Sequence, residues 1–245
     1  MAGQFWNKYA AIGYDALRVL MPYEQLQDAL WQVAALTAND RLLVAGCGTG
    51  NFEWLATQRL PQLQVDAVDY SDGMLARARA KCAGRAVRHH QANLCERLPF
   101  SDASFDVAVM CNVLYALPER VAALREMHRL LRPGGRFILC DRYPGSQIGI
   151  IGKRHLAMVR ALPPPERLQR WMRMLPALPA LLGVTVVNMS MRKFEQAGEY
   201  YCYPVDEISR LLTELGFSVG TFQSVYADQC WLLPSIRQSD AEETA

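Results

Sequence analysis

A chain of 245 residues, 51% of them hydrophobic and 20% charged, is long enough to bury one substantial α/β core and lacks the low hydrophobicity and high charge of a disordered segment. Its net charge of +2 excludes the strong basic excess of a general nucleic-acid binder, so no nucleic-acid partner is expected. The seven cysteines, Cys47, Cys82, Cys95, Cys111, Cys140, Cys202 and Cys230, are odd in number and hold no Cys-x-x-Cys pair, which argues against a disulfide framework or a zinc site; the expectation is no metal.

In chain order, Met1 to Tyr9 shows no basic run leading into an apolar core, so no secretory signal is expected and a reducing cytoplasm is the default location. Residues 5 to 36 read as helix, with Tyr9, Ile12, Leu17, Leu20, Leu26, Leu30 and Val33 at spacings near three and four. Arg41 to Ala45 is a short apolar strand ending in glycines, and Phe52 to Gln58 returns to helix-compatible residues. Gln64 to Val68 is a second strand ending at Asp69, after which Ser71 is placed to N-cap a helix reaching Lys81. Val87 to Gln91 reads as a third strand and Phe105 to Cys111 as a fourth, introduced by the turn-like Ser101-Asp102-Ala103-Ser104. Pro118 to Leu131 is a helix stopped by Pro133-Gly134-Gly135, and Arg136 to Asp141 is the fifth strand. This alternation implies βαβ units and a mostly parallel sheet with helices on both faces.

The alternation breaks after Tyr143-Pro144-Gly145. Residues 146 to 198 are rich in leucine and methionine, and Lys153 to Arg173 holds six Lys or Arg against one Glu, a net of +5. No segment reaches the roughly 18 to 20 apolar residues that span a bilayer; Met174 to Met189 is interrupted by Pro176, Pro179 and Gly183. Residues 204 to 215 form an amphipathic helix closed by Gly216. Phe217 to Phe222 and Val225 to Leu233 are the last two strands, and the polar tail beyond Pro234 is expected to fray.

The chemistry concentrates in Leu42-Leu-Val-Ala-Gly46-Cys-Gly48-Thr-Gly50-Asn-Phe. Glycines at the end of a strand let backbone approach a ligand, and the next helix points free N–H groups and its positive dipole end there. A dinucleotide loop wants Gly-x-Gly-x-x-Gly; here Asn51 stands at the third place and the glycine comes one position early, at Gly50, which argues against NAD or FAD. Asp69, nineteen residues after Gly50, could accept hydrogen bonds from both hydroxyls of a ribose, so an adenosine-containing ligand fits.

Five elements, Gly46-Cys-Gly-Thr-Gly50, Val68-Asp-Tyr-Ser-Asp-Gly-Met74-Leu, Leu98-Pro-Phe-Ser-Asp-Ala-Ser-Phe-Asp106, Asn112-Val-Leu-Tyr-Ala-Leu117 and Leu131-Arg-Pro-Gly-Gly-Arg136, together resemble the class I S-adenosylmethionine-dependent methyltransferases, in particular the ubiquinone and menaquinone biosynthesis branch. The likeness covers residues 5 to 143 well and 199 to 233 loosely. It implies a Rossmann-like α/β fold with a mostly parallel seven-stranded sheet, a single domain over 1–245, and 146–198 as a helical cap insertion that binds substrate. It also implies S-adenosylmethionine as cofactor, with Gly46, Cys47, Gly48 and Gly50 lining its methionine and ribose parts, and Asp69 on the ribose. By the same likeness Tyr70 and Met74 flank the adenine, Asn93 and Leu94 meet its edge, Asn112 and Val113 border the sulfonium, and Tyr14 covers the methionine moiety. Met74 and Val113 suit plain core equally well. Two departures stand out: Val44 replaces the family's acidic residue two positions before the first glycine, and Asn93 replaces an aspartate.

Such an enzyme aligns a nucleophile behind an electrophilic methyl and excludes water, and a general base is optional. The four histidines are His89, His90, His128 and His155; His155, in the cap, is the foremost base candidate, with Asp141 and Tyr115 as rivals, each equally readable as a satisfied structural group. Trp171 and the methionines Met158, Met172, Met174, Met189 and Met191 suggest an apolar acceptor pocket or plain packing. The acceptor expected is a small apolar molecule, a phenol, quinone or secondary metabolite. The basic stretch beside apolar residues suits an anionic membrane surface or a solvated face. A non-catalytic scaffold is the alternative that Val44 motivates, whereas dispersed cysteines speak against a metalloid methyltransferase.

Overall fold

A computed structural model describes residues 13–239, with the backbone alone for 184–192. The expected helix over 5 to 36 lies outside the described residues as far as Ile12, and beyond it is broken in two. Tyr14–Val19 forms a 3-10 turn, Leu20 is extended at φ −82° and ψ 123°, and helix α1 runs Met21–Ala34. The break follows from Pro22, which belongs in a first helical turn where no N–H is required and disfavours continuation of a helix into it.

Strands β1 (Arg41–Ala45), β2 (Gln64–Asp69), β3 (Val87–Gln91) and β4 (Phe105–Cys111) alternate with helices α2 (Asn51–Arg59) and α3 (Asp72–Lys81) as the pattern predicts. Ser71 caps α3, its Oγ accepting from Met74 N at 3.2 Å. Helix α4 (Arg120–Leu130) leads directly into β5, which spans Leu131–Arg142 and so begins five residues before the expected Arg136. Phe105 pairs with Leu131 and Val107 with Arg136, so the ladder shifts register to take in Pro133-Gly134-Gly135 as a bulge.

The sheet has eight strands where seven were expected: a path β3-β2-β1-β4-β5-β8-β6, with β7 paired to β8. The strand expected over Val225 to Leu233 is split into β7 (Gln223–Val225) and β8 (Cys230–Arg237). Between them Tyr226, Ala227 and Asp228 all take left-handed φ of 55° to 59°. Gln229 pins that turn, its amide donating to Ala227 O and Asp228 O while its Oε1 accepts from Gln147 N at 2.6 Å. The expected fraying beyond Pro234 does not occur up to Arg237, because Ser235 pairs with Phe137 and Arg237 with Phe217 (β6, Phe217–Val219).

Alternation along each strand sends its residues to two cores. Leu42, Val44, Val107 and Val109 face α1 and α2 through Leu26, Leu30, Phe52 and Ala56. Leu43, Ala45, Ala108 and Met110 face α4 and α8 (Val205–Glu214) through Leu124, Met127, Ile208 and Leu212. The first four strands and β5 are parallel, and β8 runs antiparallel to β5. Chain order reverses between β1 and β4, so the crevice at their carboxyl ends is where such a sheet receives a ligand. Residues 146 to 198 fold into α5 (Ile148–Ala161), α6 (Pro164–Met174) and α7 (Leu178–Gln196).

Candidate functional site

At the carboxyl end of β1 the chain turns through Gly46 to Gly50 into α2. Gly46 N and Cys47 N both donate to Val68 O, at 2.8 and 2.9 Å, which stitches the loop to β2. Gly46 sits at φ +73°, and a Cβ there would fall 2.3 Å from Val113 Cγ2; the loop after β4 packs against bare backbone. Asp69 closes the arrangement, accepting from Gly48 N through Oδ2 and from Ser71 N through Oδ1, each at 2.8 Å. Burial raises its pKa while the amides it accepts from lower it, and the net shift is upward. Acceptor capacity on the carboxylate remains for a further donor.

These residues wall a cavity of about 370 Å³, within the range of small-molecule sites. Eleven of the twelve residues expected at the cofactor line it: Tyr14, Gly46, Cys47, Gly48, Asp69, Tyr70, Met74, Asn93, Leu94, Asn112 and Val113. Gly50 is the exception. It packs away from the cavity, where a Cβ would meet the Ala78 backbone at 3.0 Å and Glu53 Oε1 at 3.2 Å. Tyr70 is exposed and Met74 buried. Asn93 Oδ1 already accepts from Cys95 N at 3.1 Å, and its amide donates to Glu96. Asn112 takes φ +56° at the end of β4, a costly conformation that aims it at the cavity.

Periodicity gave no hint of the rest of the wall. Tyr23 and Gln27 come from one face of α1, and Thr49, Asn51 and Phe52 from the loop and first turn of α2. Asn51 donates to Tyr23 Oη at 2.8 Å and accepts from Lys81; Thr49 donates to Asp15 at 2.6 Å, and Lys81 also donates to Asp15. This network ties the Tyr14–Val19 turn and α3 to the glycine loop. Val44, Phe52 and Val109 give the cavity apolar lining, and Gln27, which also lines it, has a buried Oε1 with no hydrogen-bond partner among the described residues.

The three base candidates lie elsewhere. His155 is buried in α5 and accepts from Met21 N through Nδ1 at 3.0 Å, with Nε2 2.8 Å from Met174 Sδ. That makes it the N-terminal cap of α1, and burial first, then the Arg170 charge, lowers its pKa. Asp141, fully buried, accepts from Tyr115 N and Arg142 N, each at 2.8 Å; burial pushes it up to about 7. Tyr115 is packed edge-on against Tyr200, with Arg142 over its ring. None of the three lines the cavity, nor does any histidine among the described residues. His90 pairs with Asp66 at 2.8 Å and His128 packs edge-on against Phe217.

Among the described residues of 146 to 198, none lines the cavity either. Met158 is half-buried, Met174 lies against His155, and Met172 is 63% exposed; Met189 and Met191 lie outside the described side chains. Leu168, Trp171, Met172, Leu175, Leu178 and Leu182 are all exposed. Among the described residues no helix is long and apolar enough to cross a membrane.

Comparison with known proteins agrees with the geometry. Residues 43–139 match the family described as Methyltransferase domain. The chain is 31% identical over 154 residues to a malonyl-[acyl-carrier protein] O-methyltransferase of Serratia marcescens, covering 60% of this chain and 58% of that one. It is 36% identical over 134 residues to a demethylmenaquinone methyltransferase of Clavibacter sepedonicus, covering 52% and 53%. The match thus spans somewhat over half the length of these relatives. A solved S-adenosylmethionine-dependent methyltransferase of Aquifex aeolicus shares the fold, with TM-score 0.58 at 17% identity over 91% of this chain and 93% of that one.

Proposed function

Since the chain belongs to the class I S-adenosylmethionine-dependent methyltransferases, we propose that it transfers the cofactor's methyl group to a small, largely apolar acceptor such as a phenol, a quinone or a secondary metabolite. The observation that carries this reading is Asp69: a half-buried carboxylate held by two loop amides, with acceptor capacity to spare, on the wall of a cavity that ten other expected cofactor residues also line. In this reading Asp69 binds the ribose hydroxyls, Tyr70 and Met74 flank the adenine, and Tyr14 covers the methionine end. Gln27, with its unpartnered Oε1, accepts from the cofactor's ammonium where Val44 has no oxygen to offer.

S-adenosylmethionine supplies a methyl group on a cationic sulfur. The protein's part is to bind, orient and exclude water. Tyr14 and Tyr23 have hydroxyl pKa values raised by burial, so they donate hydrogen bonds and do not serve as bases. With no histidine among the described residues of the wall, the acceptor atom arrives as its own nucleophile: a phenolate, an enolate or an unprotonated nitrogen. Residues 146 to 198 act as the acceptor-side cap of a single domain over 1–245. Their exposed apolar side chains beside Lys153, Arg154, Arg160 and Arg167 suit contact with an anionic lipid surface from which a lipophilic acceptor is drawn. Free thiols at all seven cysteines fit a reducing cytoplasm.

Calorimetric titration with S-adenosylhomocysteine tests the cofactor assignment, and a labelled-methyl assay across phenols and quinones then tests transfer. Saturable one-site binding with turnover supports the enzyme. Absence of binding would favour the scaffold reading that Val44 and the missing base motivate.

A further inference from the structure

Beneath the glycine loop, away from the cavity, three buried side chains from three elements converge. Glu53 in the first turn of α2, Cys82 at the end of α3 and His89 on β3 place their donor atoms within 4.8 Å of one another. The Glu53 side chain is 0% exposed and that of His89 5%, and Glu53 Oε1 stands 3.7 Å from His89 Nε2, beyond hydrogen-bond reach. Among the described residues no N–H or O–H donor reaches either Glu53 oxygen, and His89 Nε2 also has no partner there. The weak S–H donor of Cys47 is what faces the carboxylate. A buried carboxylate costs several kcal/mol unless compensated, and nothing in the proposed reaction uses this one.

We propose that Glu53, Cys82 and His89 bind a zinc-class divalent cation that holds the glycine loop to α3 and β3. The donor set of one carboxylate, one thiolate and one imidazole is the mixed O, S, N chemistry that zinc accepts. Charge favours it too: a dication with one carboxylate and one thiolate is neutral overall, which suits a site without solvent. At bond lengths of about 2.0–2.3 Å, tetrahedral ligands stand about 3.3–3.8 Å apart, so the Glu53–His89 separation of 3.7 Å already fits and the Cys82 thiol, within 4.8 Å of both, has at most about 1 Å to close. On binding, the S–H bond of Cys82 breaks, a metal–sulfur bond forms, and the proton leaves to solvent. The sequence-level expectation of no zinc site looked for paired cysteines; this set is spread over 36 residues with one donor per element.

The test uses the full chain carrying no polyhistidine tag. Elemental analysis of the purified protein should find about one zinc per chain, and Co²⁺ added after chelation should give a thiolate-to-metal absorption band. Cys82→Ser should abolish that band, and Glu53→Gln or His89→Gln should weaken zinc binding at least about tenfold; where Cys82→Ser folds poorly, Cys82→Ala serves. Metal-free protein whose melting temperature responds to neither Zn²⁺ nor chelator overturns the proposal. A cobalt band that survives in both Cys82 variants overturns it as well, by placing the metal on another thiol.

Discussion

Replacing Asp69 by alanine removes two sets of hydrogen bonds at once, and the structure lets their costs be separated. In the proposed complex the carboxylate accepts from two ribose hydroxyls; bonds to a charged group contribute about 1.5–3 kcal/mol each. Taking the low end, about 3 kcal/mol of binding is lost, roughly a hundredfold in Kd for S-adenosylhomocysteine. The same change strips the acceptors from Gly48 N and Ser71 N, at about 1–3 kcal/mol of stability for each amide left dry. Water reaching the half-buried site holds the total near the lower bound, a loss of about 2–4 kcal/mol. Calorimetry and thermal unfolding measured together read the two effects apart, and Asp69→Asn, which keeps one acceptor oxygen, should fall between on both. An Asp69→Ala protein that binds the ligand with unchanged affinity would refute the ribose assignment, whatever its stability.

Four further outcomes are expected. Gly46→Ala should destabilise the protein by about 1–3 kcal/mol from its left-handed φ and weaken cofactor binding by pushing Val113 aside, and adding Val113→Ala should restore part of the binding, read by calorimetry. The Asp141 pKa of about 7 lies above that of an unfolded aspartate, so its folded form holds a proton the unfolded chain has released. Stability therefore falls as pH rises from about 4 to 7, and urea melts of Asp141→Asn should lack that component. His155→Leu should lower the melting temperature by the loss of about 1–3 kcal/mol when Met21 N loses its acceptor, yet leave the single-turnover rate of methyl transfer within the loaded complex unchanged; loss of that rate at intact fold would return His155 to the base candidates. For a phenolic acceptor series, the pH dependence of kcat/KM should follow the acceptor's own pKa, and a constant inflection near 6.5 across the series would reveal a protein base.

What could be read from the chain and what could not divides along a physical line. The strand-to-helix junctions at Ala45 to Asn51 and Val68 to Ser71 depend on a few adjacent residues, and the strands, the glycine loop and Asp69 were legible there, whereas Tyr14, Met74, Asn93, Leu94, Asn112 and Val113 followed only from the family resemblance. Tyr23, Gln27 and Lys81 were not legible, because whether one face of a distant helix meets a loop is decided by packing that no local window contains. His155 misled for a related reason: a histidine in a segment expected over the site looks like a base until its Nδ1 is found accepting from Met21 N. The split of the last strands rests on three non-glycine residues in left-handed conformation, which residue preferences disfavour. The register shift at Pro133 to Gly135 reads as a helix stop by composition and becomes part of β5 only because β4 is there to pair with.

The hydrogen bond from Met21 to His155, with the Arg170–Glu24 ion pair at 2.7 Å, couples the insertion mechanically to helix α1, and α1 also supplies Tyr23 and Gln27 to the cavity wall. The insertion cannot swing outward as a separate flap without unlatching or dragging that helix. Any opening that admits an acceptor or releases product would loosen the cofactor side in the same stroke, so the two ligands would share one gate, and the order in which they leave would be set by how firmly the latch at His155 holds.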